Sequence, residues 1–284
     1  MDVAAAGARP AIYRRMALPF VKLVAAGNAY LAVDGRGSDR DWAGLARALC
    51  RHRFGVGSDG LLVAVRSTRG AIGLRIWNSD GSEAEMSGNG VRLFAKFALE
   101  NGLASAGPDG LGIETRAGLR TVWPVLEAGR MVAGRVAMGV PVVESREETL
   151  DLDGRALRVA CLSLGNPHAV HLTEQPVDDF PLGDVGPRVE RHARFPDRVN
   201  FEVANVISRD RLRVRVFERG EGETLSSGTG STASAVAARL AGRVDADVAV
   251  ELRGGVLRVS FEGEGKPAFL EGPTEEAFRG VIGD

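Results

Sequence analysis

Two segments of nearly the same pattern, Ser87-Gly88-Asn89-Gly90 and Ser227-Gly228-Thr229-Gly230, lie half a chain length apart in a sequence of 284 residues. Each follows an acidic, Gly-containing stretch, 80–85 and 221–225, and opens a run of helical character, 91–99 and 231–240. Both runs stop at a glycine, Gly102 and Gly242, where a helix C-terminus commonly needs a left-handed residue. The pattern predicts two helices that begin alike, each with a hydroxyl and free backbone N–H groups at its positive end. Such an end holds a carboxylate or phosphate without a basic side chain. Two of them in pseudo-repeat predict a small anion held between two halves of one chain, and the length accommodates two such units.

Composition narrows the partner. Hydrophobic residues make up 44% and charged residues 26%, with a net charge of -1 and no basic block, which argues against nucleic acid as the main partner. No apolar run approaches the ~20 residues a membrane span needs. The two cysteines, Cys50 and Cys161, stand in apolar contexts and read as buried thiols, in keeping with a cytoplasmic location. Residues 1–15 are Ala/Arg-rich without the apolar core of a secretory signal. They read as a disordered leader or an early start codon, with Met16 opening the first strand pattern.

Along the chain, strands are expected over 21–25 and 30–34 around the Gly27-Asn28 turn, then over 61–65 and 72–77. Ser38, with Asp41 three residues on, reads as a helix start, and Trp42–Leu49 supplies the apolar face. Further strands are expected over 111–125, 131–143, 201–208, 211–218, 244–252, 255–261 and 268–270. The middle of the chain turns at Gly165-Asn166-Pro167-His168 and again at 195–200. The result is mixed α/β with largely antiparallel strands and one main helix per half, without βαβ alternation.

Several motifs are excluded on context. Gly55-x-Gly57-x-x-Gly60 has the letters of a dinucleotide fingerprint but precedes a strand instead of following one. His168 and His171 have metal-pair spacing, yet on a strand they point to opposite faces. There is no G-x-S-x-G elbow and no P-loop. Asn28, Asn78, Asn89, Asn166 and Asn200 all sit at corners, where a ligand contact is plausible but an asparagine taken singly is more often a turn former. Glu218-Arg219 is by itself no more than a surface pair.

Together these stretches carry a specific resemblance. Gly27-Asn28, Arg53-Phe-Gly-Val-Gly-Ser-Asp-Gly-Leu-Leu62, Asn78-Ser-Asp-Gly-Ser-Glu-Ala-Glu-Met86, Gly88-Asn-Gly90, Gly165-Asn-Pro-His168, Val199-Asn200 and Glu218-Arg-Gly-Glu-Gly-Glu-Thr224 resemble, in order and spacing, the diaminopimelate epimerase family. The resemblance runs from about residue 20 to the C-terminus. It implies two pseudo-symmetric domains, each a curled β-sheet around a central helix, with halves at 16–132 (completed by 273–284) and 133–272. It implies a cofactor-independent epimerase, using neither cofactor nor metal, that takes LL- to meso-diaminopimelate for lysine and peptidoglycan synthesis. A homodimer is compatible with it. Asn28, Asn78, Asn166, Asn200, Glu218 and Arg219 would contact the polar ends of the amino acid. Gly88-Asn89 and Gly228-Thr229 would hold its α-carboxylate, and His168 and Glu218 would tune the acid/base groups.

The family's acid/base groups are two cysteines flanking the α-carbon, and this chain has Ser87 and Ser227 at both positions. A thiol ionises near ~8.5 and a hydroxyl nearer water's ~15.7, so the alkoxide is roughly 10 kcal/mol harder to form. No neighbour in sequence is an evident base for either serine, His168 being the nearest candidate. Three readings follow: an epimerase working through serine, an isomerase or lyase of altered chemistry using Glu218 or His168, and a non-catalytic amino-acid binder.

Overall fold

The computed structural model describes residues 17–283. The expected leader 1–15 and the alternative start at Met16 therefore lie outside the described residues. The first half runs β1 (Leu18–Ala25), β2 (Asn28–Asp34), α1 (Trp42–Leu49), β3 (Gly60–Val65), β4 (Ile72–Asn78), β5 (Glu83–Ala84), α2 (Gly88–Glu100), β6 (Leu111–Thr115), β7 (Gly118–Glu127) and β8 (Arg130–Gly139). The second runs β9 (Val142–Leu152), β10 (Arg155–Ser163), β11 (Pro167–Thr173), a short 3-10 turn (Val177–Asp179), α3 (Leu182–Glu190), β12 (Asn200–Ser208), β13 (Arg211–Glu218), β14 (Gly222–Thr224), α4 (Gly228–Leu240), β15 (Asp247–Leu252), β16 (Gly255–Phe261) and β17 (Ala268–Pro273). Last comes β18 (Glu275–Ile282).

The strand pairings repeat. In the first half β2 pairs parallel with β3 and β4 parallel with β6, and the other pairings are antiparallel. The second half copies this with β11 parallel to β12 and β13 parallel to β15. A parallel pair cannot be joined by a hairpin, so a helix crosses over each of the four. Largely antiparallel pairing is thus accompanied by four helical crossovers, which a strand count without register does not reveal.

Side chains repeat with the strands. Arg75 on β4 pairs with Glu83 on β5, and Arg215 on β13 pairs with Glu223 on β14, at matching places in the two ladders. Antiparallel pairing of β8 with β17 joins the halves into one continuous sheet. The strand after each central unit crosses to the other half, so β9 pairs with β10 and β18 with β1. Ala133 and Pro273 are register partners on that β8–β17 seam. On this basis we propose the division 16–132 with 273–284, and 133–272, which cuts within β8 and at the end of β17.

Each half curls around one helix. α2 is buried on almost every side, its Leu93, Phe94, Ala95 and Ala98 fully so. Arg92 is buried with it, and a Cβ on Gly272 of β17 would stand only 2.6 Å from its Nη2. The glycine at the seam therefore makes room for a guanidinium. α4 reaches the same burial with small residues. Its Ser231, Thr232 and Ser234 hydroxyls donate to the carbonyls of Ser227, Gly228 and Gly230, which satisfies them inside the apolar core.

Some local readings change. Asp41, not Ser38, caps α1, its Oδ1 accepting from the Gly44 N–H at 2.8 Å. α3 is not foreseen because Gly183, Gly186 and Pro187 depress helix propensity throughout it. β9 is not foreseen because it is charged on both faces.

Gly102 and Gly242 end α2 and α4 at φ +65° and +73°, and the next N–H donates back to Ala98 and Ala238 respectively. Among the described residues no other group lies within 4 Å of a Cβ added at either position. Gly102→Ala and Gly242→Ala are therefore expected to cost about 1 kcal/mol each, and to add, because only the left-handed backbone resists the methyl group. Urea denaturation of the single and double variants measures this; losses below a few tenths of a kcal/mol would contradict it.

Candidate active site

The two central helices meet end to end. A Cβ on Gly88 would stand 4.0 Å from the Gly228 Cα, and one on Gly228 would stand 3.9 Å from the Gly88 Cα. Ser87 and Ser227 are the N-caps, with extended backbones at φ -141° and -138°. Each side-chain oxygen accepts from the N–H three residues on, Gly90 at 3.0 Å and Gly230 at 3.2 Å. This leaves the N–H groups of Gly88 and Asn89, and of Gly228 and Thr229, without intrahelical acceptors at the point of closest approach. Two positive helix ends thus converge between two serine hydroxyls.

Around Ser227 the side chains are titratable. Its hydroxyl donates to Glu218 Oε2 at 3.2 Å, and Thr224 donates to Glu218 Oε1 at 2.7 Å. Burial raises the Glu218 carboxyl above the ordinary glutamate range, against the lowering effect of those two hydroxyls. The group that accepts from Ser227 is therefore Glu218, whereas His168 faces elsewhere. His168 is fully buried, with Nδ1 2.7 Å from Glu202 Oε1 and Nε2 3.0 Å from Asn166 Oδ1. Asn166 in turn donates to Thr229 Oγ1 at 3.4 Å. Glu202 has no exposed surface, and burial raises its carboxyl even beside His168. It lies beneath α4, where a Cβ on Gly230 would come within 2.8 Å of its Oε1.

Around Ser87 the nearest side chains are a phenol and amides, with Asp59 and Arg92 behind them. The Tyr30 hydroxyl lies 3.2 Å from Ser87 Oγ. Asn89 donates to Asn28 Oδ1 at 2.5 Å, and Asn28 donates to Asp59 Oδ2 at 3.1 Å. From within α2, Arg92 donates to Asn89 Oδ1, and burial pulls its guanidinium down to about 10. Asn28, Asn89, Asn166 and Thr229 are thus gathered at the helix ends. Asn200 is buried and braces the corner, its Oδ1 accepting from the Arg219 N–H and its Nδ2 donating to the Pro167 carbonyl. Glu190 holds the adjacent Gly220 N–H at 2.9 Å. Two expected contacts are turned outward in this state: Asn78 donates to Ser82 Oγ, and the Arg219 guanidinium donates to the Asp197 carbonyl.

Tyr30, Asp59, Glu202, Thr224 and Glu190 escape a reading of the sequence. One signal for Tyr30 is present: Gly27-Asn28-Ala29-Tyr30 repeats as Gly165-Asn166-Pro167-His168, which gives Tyr30 the place of His168. The other histidine of the H-x-x-H pattern, His171, donates from Nδ1 to the Arg158 carbonyl, away from His168. Among the described residues no cluster of three metal-ligating side chains occurs, and no helix is long and apolar enough to cross a membrane.

This two-half scaffold is shared with solved epimerases. It matches a hydroxyproline epimerase from Agrobacterium vitis with a TM-score of 0.68, at 16% identity, covering 93% of this chain and 92% of that one. A phenazine biosynthesis protein of the PhzF family from Bacillus anthracis matches at 0.71, with 17% identity and coverage of 94% and 99%. These likenesses establish the fold. The sequence relatives are nearer: the diaminopimelate epimerase of Moorella thermoacetica is 40% identical over 92% of this chain and 98% of its own length. That of Desulfovibrio desulfuricans is 38% identical over 93% and 98%. The family profile described as diaminopimelate epimerase matches residues 20–144 and 160–276. The chain belongs to the diaminopimelate epimerase family, and with it to the amino-acid epimerases and racemases.

The raised Glu218 carboxyl carries a stability prediction. An acid whose folded pKa exceeds its unfolded value favours folding most below the unfolded pKa, and that contribution is lost as pH rises through the folded pKa. Glu218→Gln keeps the shape without the buried charge. It is expected to match the parent near pH 4 and to exceed it at pH 8, by denaturant titration at both pH values. Lower stability of the variant at pH 8 would contradict the burial argument.

Proposed function

We propose that the chain is a cofactor-independent epimerase of LL-diaminopimelate, giving the meso isomer and so feeding lysine and peptidoglycan precursor synthesis. The observation that carries this reading is the convergence of two helix N-termini between Ser87 and Ser227. The α-carboxylate would lie against the N–H groups of Gly88, Asn89, Gly228 and Thr229, which also stabilise negative charge developing at the α-carbon. Ser87 and Ser227 would then flank that carbon and exchange its proton from opposite faces. Glu218 and His168 would tune the Ser227 side. Asn28, Asn78, Asn166, Asn200 and Arg219 would receive the distal amino-acid group, Asn78 and Arg219 after turning inward. The substrate is a small amino acid, with no nucleic-acid or membrane partner required, and the reaction takes place in the cytoplasm.

A free alkoxide is too costly here, by the ~10 kcal/mol that separates it from a thiolate. The Ser227–Glu218 contact offers a way round it. The serine proton passes to the carboxylate as the oxygen takes the α-proton, so no alkoxide accumulates. The raised carboxyl makes Glu218 the stronger base for this step.

Purified protein with LL-diaminopimelate in deuterated water is expected to exchange the α-hydrogen above the buffer rate, followed by proton NMR. Ser87→Cys combined with Ser227→Cys is expected to raise that rate by about three orders of magnitude or more, in line with the acidity gap. Exchange no faster than buffer, with binding intact by calorimetry, would make the chain a binder. Exchange with elimination or a shifted double bond in place of epimerisation would point to altered chemistry based on Glu218.

A further inference from the structure

The two halves place different chemistry at the same positions of the repeat. Parallel register sets Tyr30 opposite Gly60 on β2–β3, and His168 opposite Asn200 on β11–β12. Two residues further, Leu62 takes the place that Glu202 holds in the second half. Each lies beneath the glycine of its helix start: a Cβ on Gly90 would be 3.4 Å from Leu62 Cδ2, and one on Gly230 would be 2.8 Å from Glu202 Oε1. At the ends of β4 and β13, Asn78 corresponds to Glu218. The repeat therefore puts a histidine and two carboxyls under one serine, and a phenol, a leucine and an amide under the other.

We infer that the site is polarised by construction, with Glu218–Ser227 as its basic face and Tyr30–Ser87 as its acidic face, Tyr30 acting through Ser87 as the proton-supplying positioning residue. The direction of the hydrogen bonds carries this. A carboxylate only accepts, so Ser227 spends its proton on Glu218 and turns a lone pair to the cleft. Ser87 Oγ already accepts from the Gly90 N–H. Ser87 is the only hydrogen-bond partner of the buried Tyr30 hydroxyl among the described residues, so a phenol pointed elsewhere would leave its donor unsatisfied. Tyr30 donating to Ser87 Oγ satisfies the phenol and leaves the Ser87 proton facing the cleft.

Chemically, the Tyr30 partnership changes what Ser87 costs as an acid. A phenol at ~10 is about six pK units more acidic than an aliphatic hydroxyl, so a proton leaving Ser87 is replaced from Tyr30 and the charge rests on the ring. Burial, helped by nearby negative charge, raises the Tyr30 phenol against the lowering effect of Ser87, which narrows that gap and keeps the phenol protonated. In the epimerisation proposed above, on which this assignment rests, the Cα–H bond breaks with its electron pair left on carbon. That proton forms a bond to Ser227 Oγ while the Ser227 proton moves to Glu218 Oε2. On the other face the pair on carbon takes the Ser87 proton, and Ser87 Oγ takes the Tyr30 proton. One proton leaves and one arrives, and solvent returns the proton from Glu218 to the phenolate.

Thiols introduced at the two caps report the polarity without turnover. Ser87→Cys and Ser227→Cys proteins, each with and without Tyr30→Phe, are alkylated with iodoacetamide across pH 6–10, and the modified residue is quantified by mass spectrometry. The unsubstituted protein supplies the background from Cys50 and Cys161, which are buried and have raised thiols. The Ser87→Cys thiol, stabilised as thiolate by the phenol, is expected to reach half-maximal rate at least one pH unit below the Ser227→Cys thiol beside its carboxylate. Tyr30→Phe is expected to raise the first midpoint by about one unit, a tenfold change in thiolate fraction, and to leave the second unmoved. A merely structural tyrosine changes the rate at every pH and does not shift the midpoint. Equal or reversed midpoints, or a midpoint indifferent to Tyr30→Phe, would overturn the assignment. Should Tyr30→Phe not fold, the order of the two single-thiol midpoints decides it alone. Because alkylation needs no substrate, its failure is distinct from an absence of exchange on diaminopimelate.

Discussion

The interaction on which everything else depends is an unfavourable one. The α2 and α4 helices point their positive ends at each other with Gly88 and Gly228 almost in contact. Each end carries roughly half a charge, and at this separation in a partly screened interior the repulsion is about 1 kcal/mol. The fold imposes the arrangement by wrapping each helix in its own sheet and sewing the sheets together along β8–β17. It follows that an anion between the ends is attracted from both sides, and that the caps cannot be bulky. Gly88 and Gly228 meet that second demand, and Ser87 and Ser227 put two hydroxyl oxygens where the two fields overlap.

Symmetry of backbone with asymmetry of side chains follows from the same design. A repeat sets two hydroxyls at facing helix starts, the arrangement that the proposed two-faced proton transfer needs. Two identical faces would have no means of opposing each other in proton affinity. Replacing Tyr30 and Leu62 by His168 and Glu202, and Asn78 by Glu218, sets the two faces apart within one architecture. The carboxyls on the Ser227 side are raised by burial, and so is the phenol on the Ser87 side. Each group is thereby held in its protonated form over a wider pH range than in water.

Much of this was legible in the residues. The S-G-x-G starts and glycine stops predict α2 and α4 with their caps, because hydroxyl N-caps and left-handed C-terminal glycines have local physical causes. The curled two-half fold followed from the family resemblance, since strand pairing between distant segments leaves no local trace. For the same reason the parallel crossovers and the exchange of β9 and β18 between halves were not visible. Buried charge was also hidden. Arg92 and Lys96 interrupt the apolar face of α2, yet both are buried, Lys96 donating to Glu100 and to the Met131 carbonyl. Glu202 sits between the apolar Phe201 and Val203, and only tertiary structure shows that its neighbour is a histidine. Ser227 gains its Glu218 partner because the end of β13 folds back beside its own helix start, a contact set by the β13–β14 hairpin.

The central claim is that the paired helix ends hold one α-carboxylate between Ser87 and Ser227. A crystal structure with diaminopimelate bound tests it most directly. The account predicts the carboxylate oxygens within hydrogen-bond distance of backbone N–H groups from both Gly88–Asn89 and Gly228–Thr229, with the α-carbon between the two serine oxygens. A ligand bound with its carboxylate on one helix only, or with the α-carbon outside the serine pair, would contradict it.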